Sequence, residues 1–318
     1  TSGYHLLDTY KLGGEGGWDY LSYDSDSNRL FISRSTHVMV MDGKTGKLVG
    51  DIPDTPGVHG IALVNSLNRG FISNGRGNSV TVFNLMSLQT LETVPVGQNP
   101  DAIIFDMASD RVFTMNGHSN DATAIDAVTD KVVGTIHLGG KPEFAVSDEA
   151  GHIYVNIEDK SEVVQIDSEG LRVTARWPLK PCQEPSALAI DRANNRLFAG
   201  CHNDMMAVMD AHNGFIIATI PIGKGVDAGA FDPGTNYIFM SNGDGTLTVT
   251  RAESAFKFSL VENVDTQRGA RTMALDPQTH TVYLVTAQFG PAPAPTADNP
   301  HPRPAILPDS FVVLAFGK

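Results

Sequence analysis

Seven aromatic residues recur along this chain at intervals of 40 to 44 residues: Phe31, Phe71, Phe113, Tyr154, Phe198, Phe239 and Tyr283. Each stands near the end of an apolar run, and the segments around them share one grammar. In the third repeat Asn99-Pro100 leads into Asp101–Asp106, Ala108-Ser109-Asp110 makes a hairpin, and Arg111–Met115 returns. A loop at Asn116–Asn120 follows, then Ala122–Asp126, a turn at Thr129-Asp130 and an outer run Val132–Ile136. Runs this short, bounded by Asp, Asn, Gly and Pro, read as antiparallel strands. No segment shows sustained helical periodicity. A β-rich repeat of this length predicts an all-β, seven-bladed β-propeller with one four-stranded antiparallel blade per repeat. One blade alone exposes an apolar face, and only the closed ring buries it.

The ends show how the ring is expected to close. Phe311–Phe316 reads as the third strand of the last blade, and His5–Leu12 supplies the missing fourth. Pairing the N-terminal strand with the C-terminal blade removes the free edges of an open sheet. Residues 1–318 are therefore expected to form a single domain.

The formal net charge of −13, with no basic run, argues against a nucleic-acid partner. No apolar stretch approaches the roughly 18 residues of a membrane span, so no membrane insertion is expected. The only two cysteines, Cys182 and Cys201, fall on the same face of blade five. A disulfide there is geometrically reasonable and implies an oxidising compartment; the alternative is two free thiols in a cytosolic protein.

Ile153-Tyr154-Val155-Asn156 and Phe71-Ile72-Ser73-Asn74 match a Tyr-Val-Thr-Asn pattern, and the linkers Val94-Pro95-Val96-Gly97 and Thr219-Ile220-Pro221-Ile222-Gly223 fit beside it. In these strings the chain resembles the YVTN-repeat seven-bladed propellers over its whole length. That family resembles exported or surface-layer propellers and includes members implicated in metal handling and ligand binding. The resemblance implies a periplasmic or secreted protein and carries no single activity. A WD-repeat reading is weaker, because Trp18-Asp19 starts an inner strand instead of ending a third one.

The repeat makes a spatial prediction that no local motif could. The residues opening the innermost strands are Asp19, His59, Asp101, Glu143, Ser186, Asp227 and Arg271, and they are expected to face the channel at one height. Clustered carboxylates repel one another unless a cation, a proton or Arg271 compensates. A second layer comes from the loops between second and third strands: Arg76, His118, Glu158, Asp159 and His202. His59, His118 and His202 are expected to converge on a divalent metal, with zinc favoured. Such an ion would polarise a carbonyl or phosphoryl oxygen. Glu143 or Asp101 would then act as base, and Arg271 would hold an anionic substrate group. Asp19, Arg76, Glu158, Asp227 and Gln288 complete the expected ligand-binding set. An oxygen-rich calcium site would draw instead on Asp19, Asp101, Asp227 and Asn242.

The partner expected for this mouth is a small polar or anionic molecule, and the reaction a metal-assisted hydrolysis of an ester, lactone or phosphoester. The competing expectation is a non-enzymatic scaffold or metal carrier that binds a protein on the same face. Other candidates fall away. Gly13–Gly17 precedes a strand and reads as a flexible connector, and Ser186 lacks the elbow of a serine hydrolase. His37, His137, His152, His212 and His280 are expected at the surface. One departure from the repeat stands out: Phe289–Pro308 carries seven prolines, at 291, 293, 295, 300, 302, 304 and 308. This stiff insertion is expected to fold over the mouth as a lid or wall, bringing Gln288, His301 or Arg303 to the ligand.

Overall fold

A computed structural model describes residues 1–318 as seven four-stranded antiparallel sheets arranged as blades. The only helical pieces are two 3-10 turns, Asn65–Leu67 and Glu158–Lys160. No helix is long and apolar enough to cross a membrane. Blade three follows the expected grammar within a residue: Pro100–Asp106, Arg111–Asn116, Asp121–Asp126 and Val132–His137 pair in that order. The third strand of the last blade is Val312–Gly317, and the N-terminal strand His5–Lys11 pairs with it. Cys182 and Cys201 are joined as a disulfide.

The turns form because their residues supply hydrogen-bond partners locally. At the first hairpin of a blade an Asp carboxylate accepts from the turn, as Asp106 does from Ser109 and Asp276 does from Gln278 and Thr279. The residue before the returning strand is left-handed, and Asn28, Asp110, Asn195 and Asn236 tolerate that φ. The outer turn repeats the device. Backbone N–H bonds from Thr129 and Val128 to Asp126 hold its carboxyl below the usual carboxylate range. Asn74, Asn116 and Asn242 end second strands and are buried. Their side-chain amides donate across to the third strand, at Thr81, Thr123 and Thr248 respectively. The asparagine of the repeated string is thus a tie, within the blade at Asn74 and to the Ala187 carbonyl of the next blade at Asn156.

The seven aromatics of the repeat lie buried between blades. A second inter-blade device begins two residues before several of them. Arg29 donates to the carbonyls of Leu85 and Met86 in the next blade, and Arg111 to those of Ser168 and Glu169. Arg196 donates to Ala255, while Arg69 pairs with Asp130. Where this position is His152 or Thr281, the tyrosine two residues later reaches over instead: Tyr154 Oη donates to Ala211, and Tyr283 Oη to Gly43. These contacts staple six of the seven junctions, and His280 Nδ1 with Asp232 Oδ2 (2.8 Å) spans the seventh.

The glycine connector is not the flexible segment expected. Arg34, fully buried, donates to the carbonyls of Gly13 (2.9 Å) and Gly16 (3.1 and 3.2 Å) and lies 3.7 Å over the Phe311 ring. No carboxylate accompanies it, and burial lowers its pKa to about 10. Gly16 needs its φ of +100°, and a Cβ there would meet the Arg34 carbonyl at 2.7 Å. The connector is therefore pinned onto blade one where the ring closes. Arg34→Met strands these carbonyls and is expected to cost about 3 kcal/mol of unfolding free energy. The measurement is urea denaturation beside the exposed control Lys44→Ala, which is expected to stay within about 0.5 kcal/mol of the parent. Equal midpoints for the two variants would refute the latch.

Candidate functional site at the channel mouth

Five of the seven expected inner-ring residues sit on irregularities in the backbone. Strand pairing shifts register between Val58 and Ile61, Pro100 and Ile103, Pro142 and Ala145, Pro185 and Ala187, and Val226 and Ala228. His59, Asp101, Glu143, Ser186 and Asp227 lie within those shifts. A bulge frees a side chain from the sheet's alternation and re-aims it. Hydroxyls from neighbouring strands fix the bulged backbone: Ser33 Oγ accepts from Asp19 N, and Ser73 Oγ from Gly60 N. Thr272 and Ser241 donate to the carbonyls of Asp19 and Arg271.

Asp19, His59, Asp101, Glu143, Asp227 and Arg271 thereby line one cavity of about 670 Å³ at the channel mouth. His59 Nδ1 bonds Asp19 Oδ2 at 2.6 Å and lies 3.6 Å from Asp101 Oδ1. Asp227 accepts from Ser186 (2.8 Å) and from Arg271 Nε (2.9 Å), and Arg271 also donates to the Trp18 carbonyl (2.9 Å). Lys141 bridges Glu143 (2.7 Å) and Glu158 (2.5 Å). The ligand atoms of Asp19, His59 and Asp101 lie within 4.8 Å of one another. Asp101 Oδ1 is buried without a hydrogen bond. These three residues could hold a metal ion.

Proton affinities in the mouth are displaced upward. Burial opposes the imidazolium of His59, but the bond to Asp19, the charges of Asp101 and Asp19, and a bond to Asn99 outweigh it and raise the pKa to about 9. Burial and the charge of Asp19 raise Asp101 to about 7 against the pull of His59. Burial, the bond to Glu158 and the charge of Asp101 raise Glu143 to about 9. Burial and Asp19 raise Asp227 as well. Glu143, expected as a base, is thus shifted toward its protonated form, with Lys141 pulling the other way. Asp101 is the carboxyl poised near neutrality.

Three groups of expected site residues are not brought together. His118 and His202 do not reach His59; both are exposed on loop tips. Their backbone N–H groups bond Gln98 in one case and Gln183 and Glu184 in the other, which ties each tip to the blade shoulder and leaves the imidazole at the rim. Arg76 is likewise exposed and does not line the cavity. Asn242 is buried behind its threonine ties and does not line the cavity, so it does not join Asp19, Asp101 and Asp227 there. The proline-rich insertion does form a wall, with Phe289, Arg303, Pro304 and Ile306 lining the cavity. Gln288 instead lines a separate cleft of about 280 Å³ beside Leu6 and Asp265, and His301 lines neither. Sequence reasoning missed Lys141, Trp18 and Arg268. Trp18 adjoins a ring position, and Lys141 and Arg268 stand close before one, which was the available signal.

The displaced groups share one sign. His59 goes from about 6.5 unfolded to about 9 folded, so its stabilisation is complete below the first value and lost as pH rises through the second. Asp101 and Glu143, raised in the same way, favour the folded state at acid pH and penalise it as pH climbs through about 7 and about 9. Unfolding free energy measured in chelator is expected to fall from about pH 4, where the unfolded carboxyls ionise, to about pH 9, where His59 and Glu143 titrate in the folded state. Glu143→Gln should flatten that fall and be more stable than the parent at about pH 8; an unchanged slope would remove Glu143 from the titrating set.

No family model and no curated protein matches the sequence. Among solved structures, the chain is similar to Kuenenia stuttgartiensis hydrazine synthase at 15% identity and a TM-score of 0.75, covering 88% of this chain and 95% of that one. It is similar to U3-55K at 10% identity and a TM-score of 0.78, covering 98% of each chain. It is also similar to the WD40 repeats of RRP9, at 10% identity and a TM-score of 0.79 over 99% of this chain and 97% of that one. At these identities the likeness establishes the architecture alone: the chain is a seven-bladed β-propeller.

Proposed function

We propose that the mouth binds a divalent cation at Asp19, His59 and Asp101 together with a small polar or anionic molecule. One observation carries this reading: three ligand atoms within 4.8 Å of one another line the same cavity as Arg271. The donor set is one imidazole and two carboxylates, harder than the three-imidazole set expected, and it suits manganese or calcium as well as zinc. A cation taking this place displaces the proton that His59 Nδ1 shares with Asp19, so its affinity rises with pH. A second reading, metal-assisted hydrolysis of an ester, lactone or phosphoester, is supported by Arg271, which lines the same cavity and suits an anionic substrate group. The metal carrier and the scaffold with a protein partner on the top face are its non-enzymatic rivals.

The Cys182–Cys201 disulfide supports a periplasmic or secreted setting. Membership of the YVTN-repeat propellers is part of the same proposal and rests on the residue strings. Metal content after equilibration with manganese, calcium or zinc tests the cation site. One ion per chain is expected for the parent and for the His118→Ala/His202→Ala double variant, and none for His59→Ala/Asp19→Asn. Loss in the first double variant would restore the three-imidazole centre, and absence of metal in the parent would sink the proposal. Turnover on an ester, lactone and phosphoester panel then separates hydrolase from carrier.

A further inference from the structure

The cations and carboxylates around the cavity do not cancel everywhere. Asp227 has Arg271, Asp19 and Asp101 share His59, and Glu143 and Glu158 share Lys141. Two further guanidinium groups line the same cavity, Arg268 and Arg303, and neither forms an ion pair. Arg268 stands in the loop before Met273–Asp276 and Arg303 within the insertion, and both backbones are fixed. The Arg268 carbonyl accepts from Thr286 Oγ1 (2.6 Å), and its N–H side packs on Gly245, where a Cβ would come within 3.0 Å. The insertion is closed at its base by Gly290 N to Ala305 O and Leu307 N to Gln288 O (2.8 Å each), with Phe289 bridging Ile306. Arg303 leaves from this clasp.

Beside the two arginines the cavity wall is apolar and aromatic. The rings of Trp18 and Phe289 lie 6.0 Å apart at 48°, and Pro304 and Ile306 line the cavity with them. Trp18 is buried, and its Nε1 has no hydrogen-bond partner. Gly225, Gly243 and Gly269 add no side chains on this side of the mouth. Guanidinium forks match carboxylate geometry, and aromatic walls accept a planar body.

We infer that the blade-seven side of the mouth is a subsite for a planar organic dianion, an aromatic dicarboxylate held between Arg268 and Arg303 against Trp18 and Phe289. The inference deepens the reading of the mouth as a ligand site but does not need the cation. Titration calorimetry with phthalate, benzoate, benzamide and inorganic phosphate tests it, on protein stripped by chelator and on protein loaded with manganese. Phthalate is expected to bind one per chain in both forms, more tightly than benzoate, with benzamide silent and phosphate weaker. Arg268→Ala and Arg303→Ala, both at exposed positions, should each weaken phthalate about tenfold. Phe289→Ala should weaken phthalate and leave phosphate unchanged. Phosphate binding more tightly than phthalate, benzamide matching benzoate, or an unaltered Arg268→Ala/Arg303→Ala double variant would each overturn the subsite. Phthalate bound only with manganese would assign it to the cation, overturning the arginine subsite and upholding the metal site. Phthalate bound to a protein that never takes up metal would do the reverse.

Discussion

Face-to-face packing of one sheet against the next is the interaction on which everything else in this molecule rests. The buried aromatics fill the space between blades, but apolar contact is indifferent to small slips along a strand. The hydrogen bonds that cross from one blade to another are not. Arg29, Arg111 and Arg196 each reach a particular carbonyl of the following blade, and Tyr154 and Tyr283 do so where the arginine is missing. These bonds set the height of each blade relative to its neighbour. Only at that height do the bulged residues meet at one level in the mouth.

That common level explains the electrostatics. Four carboxylates, His59 and Arg271 from different blades line one cavity, where every charge is felt by the others. The molecule answers by holding protons and by assigning a nearby cation to each acid, with Lys141 supplied from just before its own strand. Burial of Asp101 and Glu143 beside other acids costs free energy in the ionised form, so both keep protons that a solvated carboxyl would have lost. The arginines on the insertion side face the other way in this balance, which divides the mouth into an acidic and a basic half.

The ring, its closure and six of the seven mouth positions could be read from the residues because all three follow from periodicity. A repeat converts one-dimensional spacing into angular position, so Asp19 and His59 become neighbours without any local motif. The loop residues resisted the same logic. His118 and His202 occupy matching places in their repeats, yet a loop tip's direction depends on which carbonyl its own N–H finds. Gln288 failed for a related reason: the clasp that turns the insertion over the mouth turns the residue before it outward. Arg34 shows a third limit. An arginine after an apolar strand looks like a solvated end, and only the fold reveals that two glycine carbonyls and the Phe311 ring enclose it.

The bulges at the heads of the inner strands carry a consequence for how this scaffold changes over time. Five mouth residues are displayed by their own blades from a backbone shape that recurs, and the apolar contacts that hold the blades lie elsewhere on the strands. These five sockets can then be refilled one by one, acid for base or large for small, while the surrounding architecture stays put. The circle thus separates what the protein recognises from what keeps it folded.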